Sequence, residues 1–322
     1  MVIQPSLRRR AGFLLALCIF TVLLLISNLG MALVHFGGPK LPETNYRSAV
    51  GAQEPRKIIN LDGVTIAFTD TGGADRPVLL CMHAIGHGAR DFEDLAHRMN
   101  DRYRVIAFDF PGQGNSGPDP HPASATRYAV LLTMLIERLN LHSVTLIGNS
   151  IGGATAIRYA STNPAEVKSL VLCDSGGMGP VDRTGRFFIG LFVHYFAAGS
   201  RGALWFPWTF ARYYDKVLTG AAARQERERI VRSAPETAPI LEQAWESFAD
   251  PQENLSSLLP QIRCPVLLAW TKNDVILPLQ ANWPAFNRLP NHRLEVFEGG
   301  HAAFLEDPDH FERTLREFLN AL

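Results

Sequence analysis

The sequence predicts an α/β fold, with a mostly parallel sheet covered by helices on both faces. Three observations predict it. Val78–Met82 is a short, wholly apolar run, as a strand buried on both faces must be, and Val144–Ile147, Ser169–Cys173 and Val266–Trp270 are largely apolar runs of similar length. Segments of helical period lie between them, the clearest being 124–139, where Tyr128, Leu131, Leu132, Leu135, Ile136 and Leu139 fall on one face. Strand-like and helix-like segments alternate, which is the pattern that parallel strands joined by crossover helices produce.

The elements follow in order. Arg8-Arg9-Arg10 precede an uncharged span, 11–34, that is long enough to cross a bilayer as a helix. Its strict apolar core, Phe13–Ile26, also suits a signal-peptide h-region, with Gly30 and Ala32 as small residues at a cleavage site. The continuation of apolar residues beyond Asn28 favours an uncleaved signal anchor over 1–34. The three arginines then stay cytoplasmic and the rest of the chain lies on the periplasmic or extracellular side, secreted if the segment is cleaved. Residues 35–56, rich in Gly, Pro and polar groups, read as a linker. Asp62-Gly63 between Lys57–Leu61 and Val64–Asp70 signals an antiparallel hairpin. Phe92–Met99 reads as a helix, Arg104–Asp109 as a strand, Leu294–Phe297 as a strand and Phe311–Leu319 as a helix. Between Ser175 and about Leu259 the strand–helix rhythm stops, so 177–259 is assigned to a separate helical segment.

Composition narrows the function classes. A chain of 322 residues accommodates one large α/β domain with an inserted subdomain, and zero formal net charge leaves no electrostatic footprint for nucleic acid. The four cysteines, Cys18, Cys81, Cys173 and Cys264, have no paired or metal-like spacing, and no metal or cofactor is expected.

The chemistry concentrates at Gly148-Asn149-Ser150-Ile151-Gly152-Gly153, between an apolar strand and a helical run from Ala154. A serine hydroxyl must protrude from the sheet edge for a base to reach it. A sharp strand–turn–helix junction achieves this, and glycines two before and two after the serine remove the Cβ atoms that would clash. The helix that follows directs its first N–H groups at the place where an oxyanion would develop. His301 follows Gly299-Gly300, read as a flexible turn that swings an imidazole over the sheet edge. Asp274 sits just after an apolar strand, where it can accept the other imidazole N–H, and Asp174, also at a strand end, is its rival.

From about residue 57 to 322 the chain resembles the α/β-hydrolase-fold superfamily of serine hydrolases. The matching residues are His83-Ala84 after the third strand, DFPGQGNS at 109–116, GNSIGG at 148–153, Asp274, and Gly299-Gly300-His301. The resemblance implies an eight-stranded, mostly parallel sheet, with a core of 57–176 and 260–322 and a helical cap inserted after the sixth strand. It implies Ser150 as nucleophile, Asp274 as acid and His301 as base. The backbone N–H groups of Ile151 and Ile85 would form the oxyanion hole. Ala84 departs from the family's usual His-Gly pair, so a differently shaped loop is expected there. His83 and His87 suggest a metal pair but no third ligand accompanies them, and His83 is expected to brace the loop.

The inserted segment is rich in aromatics, including Phe187, Phe188, Phe192, Tyr195, Phe196, Trp205, Phe206, Trp208, Phe210, Tyr213, Tyr214, Trp245 and Phe248. Most are expected to be core, with an inner face roofing an apolar pocket and part of Phe187–Trp208 touching lipid. The expected function is cleavage of a carboxylic ester, or a related acyl bond, of an apolar small molecule or lipid through an acyl-enzyme. A carbon–carbon bond hydrolase of the meta-cleavage type is the alternative, because GNSIGGATAIRYA resembles such enzymes although HAIGHG replaces their glycine-rich loop. A membrane-tethered binding protein on the same scaffold is a third reading, opposed by the presence of Ser150, Asp274 and His301 together.

Overall fold

The computed structural model describes residues 56–322. The signal anchor and all of the linker except Arg56 lie outside the described residues. Among the described residues no helix is long and apolar enough to cross a membrane.

Eight strands form one sheet in the order β1-β2-β4-β3-β5-β6-β7-β8. They are β1 (Lys57–Leu61), β2 (Val64–Asp70), β3 (Val78–Met82), β4 (Arg104–Phe108), β5 (Val144–Asn149), β6 (Val167–Cys173), β7 (Val266–Thr271) and β8 (His292–Phe297). β1 and β2 make the expected hairpin, with Leu61 opposite Val64. Its two turn residues, Asp62 at φ 53° and Gly63 at φ 80°, have the positive angles that match the twist of the strands. β2 joins β4 antiparallel, and all later pairings are parallel.

Every residue of β3, β5 and β7 is buried, because helices cover both faces. The edge strand β8 mixes half-buried and exposed side chains, with only Phe297 buried, and carries Arg293 and Glu295, charges that discourage edge-to-edge pairing. From β3 the chain crosses to β4 on one side, then returns to β5 on the other. The order therefore reverses between β3 and β5, and in open α/β sheets the crevice at such a point is where ligands bind.

The helices are α1 (Glu93–Met99), α2 (Ala125–Arg138), α3 (Ile151–Thr162), α4 (Arg183–Ser200), α5 (Phe206–Val217), α6 (Arg224–Arg232), α7 (Ala234–Ser247), α8 (Leu279–Phe286), α9 (Ala303–Glu306) and α10 (Pro308–Asn320). Ser124 lies just outside α2 and caps it, its side chain accepting from the Arg127 N–H. α4 to α7, hereafter the cap, all lie between β6 and β7, in the segment read as such from the sequence.

Phe192 stacks on Trp245 at 4.2 Å, and Tyr195, Phe196, Phe206 and Phe210 surround them, so these rings are cap core as expected. Phe187, Phe188 and Trp208, within the stretch expected to face outward in part, stand exposed. Phe196 is fully buried, and Phe196→Ala should cost about 3–5 kcal/mol. Phe188→Ala, at an exposed position, should stay within about 0.5 kcal/mol. Urea unfolding of the two variants measures the difference.

Candidate active site

The C-terminal ends of the parallel strands converge on one rim. Ser150 occupies the one-residue turn between β5 and α3 at φ 55°, ψ −116°, a conformation that is strained for any residue with a Cβ. Its surroundings enforce the turn. The Ser150 N–H donates to the Cys173 carbonyl at 3.1 Å, and its carbonyl accepts from Gly176 N–H at 3.0 Å and Ala154 N–H at 3.2 Å. A Cβ on Gly148 would collide with the Gly152 carbonyl, as expected. A Cβ on Gly152 would collide instead with the Met82 carbonyl, so this glycine is required by the neighbouring strand β3.

Asp274 and His301 come together. His301 Nδ1 lies 2.8 Å from Asp274 Oδ2, and the other carboxylate oxygen accepts from the N–H groups of Ile276 at 2.7 Å and Leu277 at 2.9 Å. A carboxylate facing Nδ1 places the imidazole proton there and leaves Nε2 as a base. Burial opposes charge on His301. The charge and hydrogen bond of Asp274, with smaller contributions from Asp174 and Glu306, outweigh that opposition and raise its pKa. Asp174, the rival acid, is fully buried and accepts instead from Thr271 N–H at 2.8 Å and Oγ1 at 2.9 Å. Burial and the neighbouring Asp274 charge push its pKa well up, so it is poorly suited to the carboxylate role.

The Ser150 hydroxyl makes no hydrogen bond among the described residues. The serine and histidine limbs are joined through Asn149, whose Nδ2 donates to the carbonyls of Cys173 at 3.0 Å and His301 at 2.9 Å. The N–H groups of Ile151, at the start of α3, and Ile85, after β3, likewise donate to nothing among the described residues. Both residues are buried at this rim.

The loop after β3 accommodates Ala84 without strain. The positive φ falls on Gly86, at 77°, whose N–H donates to Gln113 Oε1 at 2.7 Å. His83 braces the loop as expected. Its Nδ1 meets the Ala84 carbonyl at 2.6 Å and its Nε2 accepts from Phe110 N–H at 2.9 Å. Burial lowers its pKa to about 3, consistent with a neutral ring. Asp109 anchors the same loop, accepting from Ala89 N–H at 2.7 Å and Asn115 N–H at 2.8 Å. Desolvation raises the Asp109 pKa to about 7. Among the described residues no group of three or more side chains is arranged to hold a metal.

Sequence reasoning missed three residues. Asn149 is one. Glu306, in α9, is the second. Its Oε1 accepts from the N–H groups of Gly300 at 2.7 Å and His301 at 3.0 Å, and its Oε2 from those of Thr219 at 2.8 Å and Gly220 at 2.6 Å. One buried carboxylate thus ties the histidine loop to the cap. Gly300 is required because a Cβ would strike the Val217 carbonyl of the cap, so close approach rather than flexibility explains it. His87 is the third, a buried imidazole 2.6 Å from the buried Asp91 and 5.8 Å, ring to ring, from Tyr214 of α5. Burial disfavours the charged form of both partners, and the His301 charge further lowers His87. Only its proximity in sequence to His83 drew attention to it. A cavity of about 150 Å³ lies elsewhere, between α7 and the loop after β4, and includes none of Ser150, Asp274 or His301.

The chain belongs to the alpha/beta hydrolase fold family, which it matches over residues 77–308. It is 28% identical over 267 residues to a 2-hydroxy-6-oxononadienedioate/2-hydroxy-6-oxononatrienedioate hydrolase of Pseudomonas sp., covering 79% of this chain and 92% of that one. It resembles the solved structure of a thermophilic esterase from Thermogutta terrifontis, at TM-score 0.71 and 25% identity, over 84% of this chain and 99% of that one. The same fold recurs in the crystal structure of a membrane phospholipase A, at TM-score 0.71 and 24% identity, over 98% of each chain.

Glu306→Ala leaves four backbone donors unpaired, and should lower stability by roughly 3 kcal/mol. It should also lower kcat more than it raises KM, because the His301 loop loses its clamp. Thermal unfolding and steady-state kinetics on one preparation check both.

Proposed function

We propose that the protein is a serine hydrolase that cleaves a carboxylic ester, or a related acyl bond, of an apolar small molecule or lipid through an acyl-enzyme. What carries the proposal is the 2.8 Å pairing of His301 Nδ1 with Asp274 beside a serine held at φ 55°. In this reading the Ser150 hydroxyl attacks the acyl carbonyl as His301 Nε2 takes its proton. The oxyanion accepts from the N–H groups of Ile151 and Ile85. His301 then protonates the leaving alcohol, and the acyl-enzyme remains on Ser150. Water, deprotonated by His301, attacks the acyl carbon and releases the acid, returning the proton to Ser150. Asp274 keeps the imidazole oriented and offsets its positive charge at each step.

The esterase likeness favours ester cleavage. The 2-hydroxy-6-oxononadienedioate hydrolase likeness favours a second reading, carbon–carbon cleavage of a ring-fission product on the same three side chains. Against it stands the loop His83-Ala84-Ile85-Gly86-His87-Gly88, which brings a buried imidazole, paired with Asp91 just beyond it, where the resemblance implies a glycine-rich loop. The proposal extends to the chain's organisation: an anchor in 1–34, a linker in 35–56, a core of 57–176 and 260–322 under a cap of 177–259, and a periplasmic or extracellular location. The apolar span 11–34 behind three arginines supports the anchor and the location.

A panel of p-nitrophenyl acyl esters and a 2-hydroxy-6-oxodienoate ring-fission product discriminates the two chemistries. The wild type should turn over at least one ester with the higher kcat/KM, and Ser150→Ala and His301→Ala should each lower that value by about 10⁴-fold or more. Preference for the ring-fission product would overturn the ester reading.

The pH profile supplies a second check. His301 must be neutral to act as base, so kcat/KM should rise with pH through the raised His301 pKa, with the acid limb above about 6.5. In Asp274→Asn burial prevails, and the limb should move to lower pH while activity falls. A limb that stays in place in this variant would remove Asp274 from the role.

A further inference from the structure

The cap has a second apolar face, and it points outward. Eleven large hydrophobic side chains are exposed among the described residues, and five of them fall within 187–208, on α4, α5 and the turn between them. They are Phe187 (64% exposed), Phe188 (54%), Leu191 (49%), Leu204 (98%) and Trp208 (66%). Helical spacing explains why both faces of each helix are used. On α4, Ile189 and Phe196 turn inward while Arg183, Phe187 and Leu191 follow one another at four-residue steps on the outside. On α5, Phe206, Phe210, Tyr214 and Val217 turn inward while Trp208, Arg212 and Lys216 repeat at the same step outside. The Arg212 guanidinium sits 5.8 Å over the Trp208 ring.

Charge selects the partner. Over 183–217 there are five basic residues, Arg183, Arg186, Arg201, Arg212 and Lys216, against one acidic residue, Asp215. Asp215 is itself approached by Arg227 of α6 at 3.7 Å. The whole chain is neutral, so this cationic face is local. A second copy packed on it by two-fold symmetry would set basic residues against basic residues. Residues 1–55 carry Arg8, Arg9, Arg10, Lys40 and Arg47 against Glu43 and Glu54, so their charge does not complement the face either. A bilayer with anionic headgroups matches both properties. Phe, Leu and Trp side chains suit the acyl boundary, where they leave water. Arginine and lysine stems are long enough to reach phosphate level.

We propose that the outer face of α4 and α5 docks on an anionic lipid bilayer, with Phe187, Phe188, Leu191 and Trp208 in the interface and Arg183, Arg186, Arg212 and Lys216 at the phosphates. This contact stands apart from the apolar span 11–34 and does not depend on the chain's activity.

The full chain reconstituted in vesicles tests it, since the part of the emission that Trp208→Phe removes reports on that one of the five tryptophans however the chain is held. In phosphatidylcholine vesicles containing phosphatidylglycerol, brominated acyl chains should quench the tryptophan emission, and Trp208→Phe should at least halve that quenching. Trp283→Phe, at an exposed site on α8, should leave it in place. Omitting phosphatidylglycerol, or replacing Arg183, Arg186 and Arg212 with Gln, should reduce the quenching about two-fold or more. Quenching that Trp208→Phe does not change overturns the proposal. A blue-shifted Trp208 emission without bromine quenching also overturns it and assigns the face to protein, whether a second copy or residues 1–55.

Discussion

At the end of β5 the chain turns within a single residue, and the rest of the rim is arranged around that turn. Ser150 pays a conformational cost at φ 55°, ψ −116°, and nothing in its own chemistry favours that geometry. It persists because neighbours on both sides specify it. β6 accepts its N–H, Gly176 donates to its carbonyl, and α3 is packed so tightly against β3 that Gly152 leaves no room for a methyl group. A parallel sheet makes this possible, because β3, β5 and β6 all end on the same side with their carbonyls and following loops in reach. Strain at the serine is therefore a property of the sheet order, and it projects the hydroxyl out of the sheet while the first N–H groups of α3 stay beside it.

The second limb is built differently, out of buried polar groups. Asp274, Asp174, Glu306 and His301 are all buried near one another, an arrangement that would be costly if each carboxyl were left unpaired. Asp274 and Glu306 meet this by accepting several backbone N–H groups each. Asp174 meets it by a shift toward its neutral form and two bonds to Thr271. The division of labour follows from environment. Asp274 has backbone donors on one oxygen and imidazole on the other, while burial and the Asp274 charge push Asp174 toward its neutral form. Asn149 joins the two limbs with a single amide, so movement of the histidine loop is felt directly beside Ser150.

Much of this was legible in the sequence, and the legible parts share a physical character. The Asp62-Gly63 hairpin, the buried strands β3, β5 and β7 and the need for Gly148 beside Gly152 are local patterns whose reasons lie within a few residues, whereas Gly152 also answers to β3. The choice between Asp274 and Asp174 was not local, since both follow apolar strands. What separates them in the fold is that the sheet places Asp274, and not Asp174, against the His301 Nδ1. β8 begins at His292, two residues earlier than its apolar run, because an edge strand tolerates polar side chains. α8 shows no clear period because Pro284 interrupts it, and Glu306, two residues before α10, carries no signal until the loop it clamps is folded over it. The outward Phe187 and Phe188 could not be told from core by period alone, since α4 is apolar on two faces.

The central claim is that Ser150, the imidazole of His301 and the N–H groups of Ile151 and Ile85 surround one reacting carbon. A crystal structure after treatment with an alkyl phosphonate ester tests it directly. The account predicts phosphorus bonded to Ser150 Oγ, its free oxygen about 2.7–3.1 Å from both N–H groups, and His301 Nε2 hydrogen-bonded to a remaining oxygen of the adduct. An unmodified Ser150, or an adduct whose oxygen meets neither N–H, would contradict it.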